Sequence, residues 1–267
     1  MSHLKASLLA TKAGCVKHFR SLTMATREDT LNRIRKALGR PPGEPPIRRQ
    51  PGNLFPALGQ VLQPIPPDRV VEKFEEELQK VAGNTYRAST SAELAGILRK
   101  ITSDRQAKSV VLSRNPILGQ LGIAPELSSL GISVAAWPEA VAGALIAEPV
   151  PGFRESAFDA EIGITGVDFI LAESGSLVLS SRTEGAQLAS LAPPAHIALY
   201  RRSQAFATLE EVLARLPVPL DLQAPLPGRS VVFITGPSRT ADIEQILIRG
   251  VHGPKEVHAI LVEDSCF

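Results

Sequence analysis

Residues 85–112, TYRASTSAELAGILRKITSDRQAKSVVL, decide the fold. Thr85–Arg87 reads as a short strand, and Ser91 as the cap of a helix carrying Leu94, Ile97, Leu98 and Ile101 at helical spacing. Ser109–Leu112 then reads as a buried strand. This β-α-β rhythm argues for a parallel sheet covered by helices. Downstream, Ile132–Ala136 continues it as another strand; upstream, Asp68 is placed to cap a helix that turns Val70, Phe74, Leu78 and Val81 inward.

The second half is denser in strand signals. Phe169–Ala172 and Leu177–Ser180 flank a tight turn, Glu173-Ser174-Gly175-Ser176, and His196–Tyr200 is a further strand. Thr208 with Glu211 makes a capping box before Val212, Leu213 and Leu216. Val231–Thr235 ends at Gly236-Pro237, and Val257–Val262 is the last strand. Before the α/β region, Leu31, Ile34 and Leu38 share one face of a helix from Arg27 to Leu38, with Gly39 as its stop. The prolines from Pro41 to Pro67 forbid a regular helix or an interior strand. The chain is therefore expected to hold an extended start (1–25), a helical arm with a Pro-rich linker (26–67) and one α/β domain (68–267). Met24 offers an alternative beginning to Met1.

Composition narrows the function classes. The chain has 267 residues, 44% hydrophobic and 21% charged, with a net charge of +2, so no global field draws nucleic acid or an acidic membrane. Basic residues cluster locally at Arg27, Arg33, Arg35, Lys36, Arg40, Arg48 and Arg49, read as a solvated helix face and linker. The two cysteines, Cys15 and Cys266, have no CxxC spacing, which argues against an iron–sulfur or structural zinc site made by this chain alone. The same count argues against a disulfide framework, in keeping with a reducing cytoplasm. No apolar run spans a bilayer, and residues 1–22 lack the apolar core of a secretory signal.

Four stretches could carry chemistry. Gly163-Ile164-Thr165-Gly166-Val167-Asp168, followed by Glu173-Ser174-Gly175, places small polar residues between strands, where backbone amides face a ligand. Glu173 there is a nucleophile or base if buried, and otherwise a solvated turn residue. Ser180 to Gly185 offers hydroxyls, Arg182, Thr183 and Glu184 to a carboxylate or phosphate, or is a polar loop before a helix through Gln187–Leu191. In the third stretch, Gly236, Ser238, Arg239, Thr240 and Asp242 follow a strand end. There Ser238 or Thr240 would cap a helix containing Ile243, Ile246 and Leu247, an anion-binding arrangement without P-loop spacing. In the fourth, His252, between Val251 and Gly253, is placed for a cleft as a general acid or base, or bonds within its turn; His196 and His258 lie inside strands as structural residues. No metal spacing is present.

Taken in order, Gly163–Asp168, Ala172–Ser176, Thr235–Glu244 and Gly250–Pro254, with the opening helix Arg27–Gly39, resemble the LUD-domain family over about Thr26 to Asp264. The resemblance is closest to its lactate-utilization protein C branch, the short members without iron–sulfur cysteines. It implies a Rossmann-like sheet of the NagB/RpiA/CoA-transferase type. It also implies a role in oxidising L-lactate to pyruvate beside cysteine-rich lactate-utilization proteins A and B. This chain would then bind no cofactor, the iron–sulfur clusters residing in those partners. As a non-redox subunit it would bind a small carboxylate through Arg182 or Arg239 and organise its partners. The rival readings are an acyl-CoA transferase using Glu173 and a stand-alone organic-acid or phosphosugar sensor.

Overall fold

The structure, a computed structural model, describes residues 26–39, 64–137, 152–185, 187–216, 230–241, 247–250 and 252–267. The chain divides into two compact units, Met1–Val61 and Leu62–Phe267. In the first, helix α1 (Arg27–Ala37) starts at Thr26, whose hydroxyl accepts the Asp29 N–H at 3.2 Å while Asp29 accepts the Thr26 N–H at 2.9 Å. This reciprocal box satisfies two free N-terminal amides. Ile34 and Leu38 on the apolar face are exposed. Met1 to Ala25 and Arg40 to Gln63, with most of the Pro-rich stretch, lie outside the described residues.

The second unit opens with helix α2 (Val70–Lys80), strand β1 (Asn84–Ala88) and helix α3 (Ser91–Asp104). Strand β2 (Ser109–Leu112), helices α4 (Pro116–Gln120) and α5 (Ile123–Ser129) and strand β3 (Ser133–Ala136) follow. Helix α6 (Phe153–Asp159) leads to β4 (Ile162–Thr165), β5 (Phe169–Leu171) and β6 (Ser176–Ser180). Then come α7 (Ser181–Glu184), α8 (Leu188–Leu191), β7 (Ala195–Tyr200), β8 (Ala205–Phe206) and α9 (Leu209–Leu213). The remaining strands are β9 (Val231–Ile234), β10 (Arg239–Ala241), β11 (Leu247–Arg249) and β12 (Glu256–Val262).

Six strands form one parallel sheet in the order β1-β12-β7-β4-β2-β3. Side chains alternate across it. Ile162, Ile164, Ile197, Leu199, Ile260 and Val262 pack under α3, α4 and α5 through Leu94, Leu98, Ile117 and Leu127. Ala198, Tyr200, Val257, Ala259 and Leu261 face Phe74 and Leu78 of α2 and a second sheet. Both faces are thus apolar, which is why these strands read as unbroken hydrophobic runs. The α/β class with helices over a parallel sheet is as the sequence implied.

Three local expectations are corrected. Asp68 lies inside a 3₁₀ turn, Pro67–Arg69, and α2 has no side-chain cap, because the turn already feeds the helix. Thr90, not Ser91, caps α3: it is the last extended residue, and its hydroxyl accepts the Glu93 N–H at 3.2 Å. Beyond Ser238 the chain forms β10 paired antiparallel with β11, with Thr240 opposite Ile248 and Leu247 in a strand. This takes Thr240 and Leu247 out of the expected helix; Ile243 and Ile246 lie outside the described residues. The sequence reading also assigned no pairing to the shorter strands. They form a second sheet, β8-β5-β6-β9, in which β5 and β6 are a hairpin and β9 runs antiparallel to β6.

Candidate functional site

The strand order marks one place on the sheet. From β2 the chain passes through α4 and α5 on one face to β3; it returns through α6 on the other face, where Phe153 and Ala157 pack on Val111, to β4 on β2's far side. Connections that part in this way leave a crevice beyond the carboxyl ends of the two strands. Ser113-Arg114-Asn115 follows β2 there and Gly166-Val167-Asp168 follows β4, while α7 arrives from the end of β6.

Glu184 of α7 fills the floor of this region at 1% exposure. Ser113 Oγ donates to its Oε2 at 2.6 Å, and the Asn115 amide donates to Oε1. Arg114 donates its backbone N–H to the Glu184 carbonyl at 3.1 Å and its guanidinium to the Arg182 carbonyl at 2.7 Å. Gly166 is required: a Cβ there would overlap the Asn115 side chain, 2.7 Å from its Oδ1, and push the amide off the carboxylate. Asp168 accepts the Ser180 N–H at 2.6 Å and the Thr183 hydroxyl at 2.9 Å, tying the β4–β5 link to α7. Burial pushes the Glu184 carboxyl up to about 7 and the Asp168 charge adds to this, against the opposing pull of Ser113 and Asn115. Gly163 and Thr165 lie within β4 itself, and the buried Thr165 hydroxyl sits 2.8 Å from His196 Nε2 rather than facing a ligand. Burial holds His196 down to about 3, so it is neutral.

The other sequence-selected residues lie at the opposite end of the second sheet. Because β6 and β9 are antiparallel, Ser180 pairs with Val231 at the crevice end, and Leu177 pairs with Ile234 at the far end. At the far end Glu173 is exposed and accepts the Leu209 N–H at 2.8 Å, at the first residue of α9. It is thus the solvated turn residue, not a buried nucleophile. Replacing Glu173 by Ala is expected to cost about 0.5–1 kcal/mol, the size of a lost helix cap, in denaturant unfolding. Gly175, at φ +64°, lets the turn pass under α2, where a Cβ would come 2.6 Å from the Glu77 carbonyl carbon. Ser174, Ser176 and Thr235 form a hydroxyl chain with 2.7 Å links.

Beside it is a cleft of about 450 Å³, lined in part by Val81, Gly236, Ser238, Arg239 and His252. Arg239 spends a donor on the Val81 carbonyl at 2.6 Å, a cation closing the carboxyl end of α2. His252 is exposed at the cleft, as expected; Thr240 is in β10, and Asp242 lies outside the described residues. Pro254, which precedes β12, accepts the Ser238 N–H at 2.9 Å, placing this cleft at the amino edge of the parallel sheet.

The structure therefore separates what the sequence grouped. Gly166, Asp168, Arg182, Thr183 and Glu184 meet at the carboxyl edge, and Ser174, Gly175, Gly236, Ser238, Arg239 and His252 at the amino edge. Ser113, Arg114 and Asn115 escaped the sequence reading; the signal was a polar Ser-Arg-Asn-Pro run directly after a buried strand. Among the described residues no group of three His, Cys, Asp or Glu is placed to hold a metal ion, and no helix is long and apolar enough to cross a membrane.

The sequence pattern of the LUD domain matches residues 71–262. Lactate utilization protein C of Halalkalibacterium halodurans is 29% identical over 238 residues, covering 89% of this chain and 98% of that protein. The protein of the same name from Geobacillus kaustophilus is 33% identical over 192 residues, 70% of this chain and 77% of that one. A DUF162 family protein from Deinococcus radiodurans, solved by crystallography, aligns with a TM-score of 0.47 at 19% identity, over 74% of this chain and 99% of that one.

Proposed function

The chain belongs to the LUD domain family, and from that premise we propose that it is a cytoplasmic component of a lactate-utilization system. It would support oxidation of L-lactate to pyruvate beside cysteine-rich proteins A and B that hold iron–sulfur clusters. The observation carrying this reading is its correspondence with proteins called lactate utilization protein C, over 98% of the one from Halalkalibacterium halodurans. The chain's own two cysteines fall short of the four thiolates that hold such a cluster, and Cys266 is buried against the Ala88 carbonyl. Electron transfer through a cysteine-held cluster is then left to the partners, and this chain's task is to bind a small carboxylate at the carboxyl edge of the sheet and to organise those partners. Arg114 and Arg182 supply positive charge beside that edge, and guanidinium groups suit carboxylate recognition.

Coexpression with its genomic neighbours tests the reading. Co-purification with a cysteine-rich partner is expected, with lactate-dependent dye reduction that falls when this chain is omitted. A monodisperse chain that ignores those partners, and activity indifferent to its absence, would remove the subunit role.

A further inference from the structure

The carboxyl edge of the sheet, where the strand order places a crevice, holds a buried group that anion binding alone does not use. The Glu184 carboxyl is buried on a four-residue helix, and Ser113 and Asn115, both uncharged, are its side-chain donors. Among the described residues, the charged groups on the elements packed against it are three. Asp168 comes from the β4–β5 link, where Thr183 binds it; Arg114 comes from the loop after β2; Arg182 is on α7 itself. Arg114 directs its guanidinium to the carbonyls of Ser181 and Arg182 rather than to the carboxylate. Among the described residues no cation pairs with the Glu184 carboxyl, while Asp168 opposes a negative charge there.

An incoming carboxylate adds a second opposing charge in a region of low dielectric, where repulsion is strong. The cheapest relief is a proton on Glu184. We propose that Glu184 takes up one proton from water as a small monocarboxylate enters the crevice, its carboxyl changing from an acceptor of two hydrogen bonds to a neutral acid. The Ser113 oxygen can accept from the new O–H on Oε2, while the Asn115 amide keeps its bond to Oε1. This inference rests on the crevice being the carboxylate site. The acid is already poised near neutrality, so a modest added repulsion is enough to move it. By linkage, binding that takes up a proton weakens as pH rises above the point at which the free acid ionises.

Two measurements separate the inference from the reading beneath it. Infrared titration of the unliganded full chain should show a carboxylic-acid carbonyl band that fades as pH rises through about 7 and is missing in Glu184→Gln. Calorimetry with L-lactate and with pyruvate, in buffers of different ionisation enthalpy, should then show uptake of one proton above that midpoint. The Kd should rise about tenfold per pH unit there, while Glu184→Gln binds with a pH-independent Kd near the low-pH value of the native chain. A second variant, Asp168→Asn, removes the neighbouring charge and should move the break in Kd to lower pH, which keeps the test open if the Gln variant does not fold. Absence of the band, or a Kd that ignores pH in the native chain, overturns the proton uptake and leaves the crevice as a carboxylate site. If the band is present and neither acid binds, the carboxylate site itself is overturned, and the uptake with it.

Discussion

Glu184→Gln is expected to exceed the native protein in stability at pH 8 by up to about 3 kcal/mol, and to match it near pH 4.5. The sign follows from the direction of the shift. Burial raises the folded carboxyl from its ordinary 4.5 to about 7. Below 4.5 both folded and unfolded chains hold the proton, and the site costs nothing. Between 4.5 and 7 the unfolded chain has released its proton while the folded one keeps it, so stability falls at about 1.4 kcal/mol per unit. Above 7 the loss is complete, because the folded protein then carries a buried anion. Glutamine is neutral throughout and keeps the volume, one acceptor for Asn115 and one donor for Ser113. Urea unfolding of both proteins at the two pH values checks this; a stability difference that does not change with pH would refute the protonation argument.

This carboxyl shows where sequence reading stops. The buried strands were legible because both faces are covered: Ser109–Leu112 and Val257–Val262 carry apolar runs that need no partner to be recognised. The cap of α3 was misplaced by one residue, since Thr90 and Ser91 are both capping residues and only the backbone turn chooses between them. Helical spacing of Ile243, Ile246 and Leu247 points to a helix, and the pairing of β10 with β11 takes Thr240 and Leu247 out of it, while Ile243 and Ile246 lie outside the described residues. Glu184 was selected as one polar letter in Ser180–Gly185, but its burial could not be read there. That burial is imposed by Ser113 and Asn115, 71 and 69 positions away, and by a strand order that puts β4 beside β2. The carboxyl-end rule locates a crevice only once that order is known. The same order explains why residues that adjoin in the sequence, Gly166–Asp168 and Glu173–Gly175, serve opposite edges: β5 carries the chain from one to the other.

Gly163→Ala is expected to cost about 3 kcal/mol or more. Gly163 lies in β4, paired with Val111 of β2 on one side and His196 of β7 on the other, so the strand is fixed from both sides. A Cβ there would fall inside the Ala189 carbonyl oxygen, 2.8 Å from that carbonyl carbon and 3.1 Å from Pro193 Cγ. The clash is with backbone, which no side-chain rotation relieves. Helix α8 would have to lift from the sheet, uncovering Ala189 and the buried His196 and weakening the α6 cluster that Ala189 joins. Gly96, on the exposed face of α3, is the control: nothing lies within 4 Å of a Cβ there, and alanine should add about 0.5–1 kcal/mol through helix propensity alone. Opposite signs for the two glycines in denaturant unfolding would tie the loss to the contact between β4 and α8. A Gly163→Ala protein as stable as the native chain would mean that this helix does not seat on the sheet as closely as the structure places it, and the crevice built on β4 would have to be redrawn.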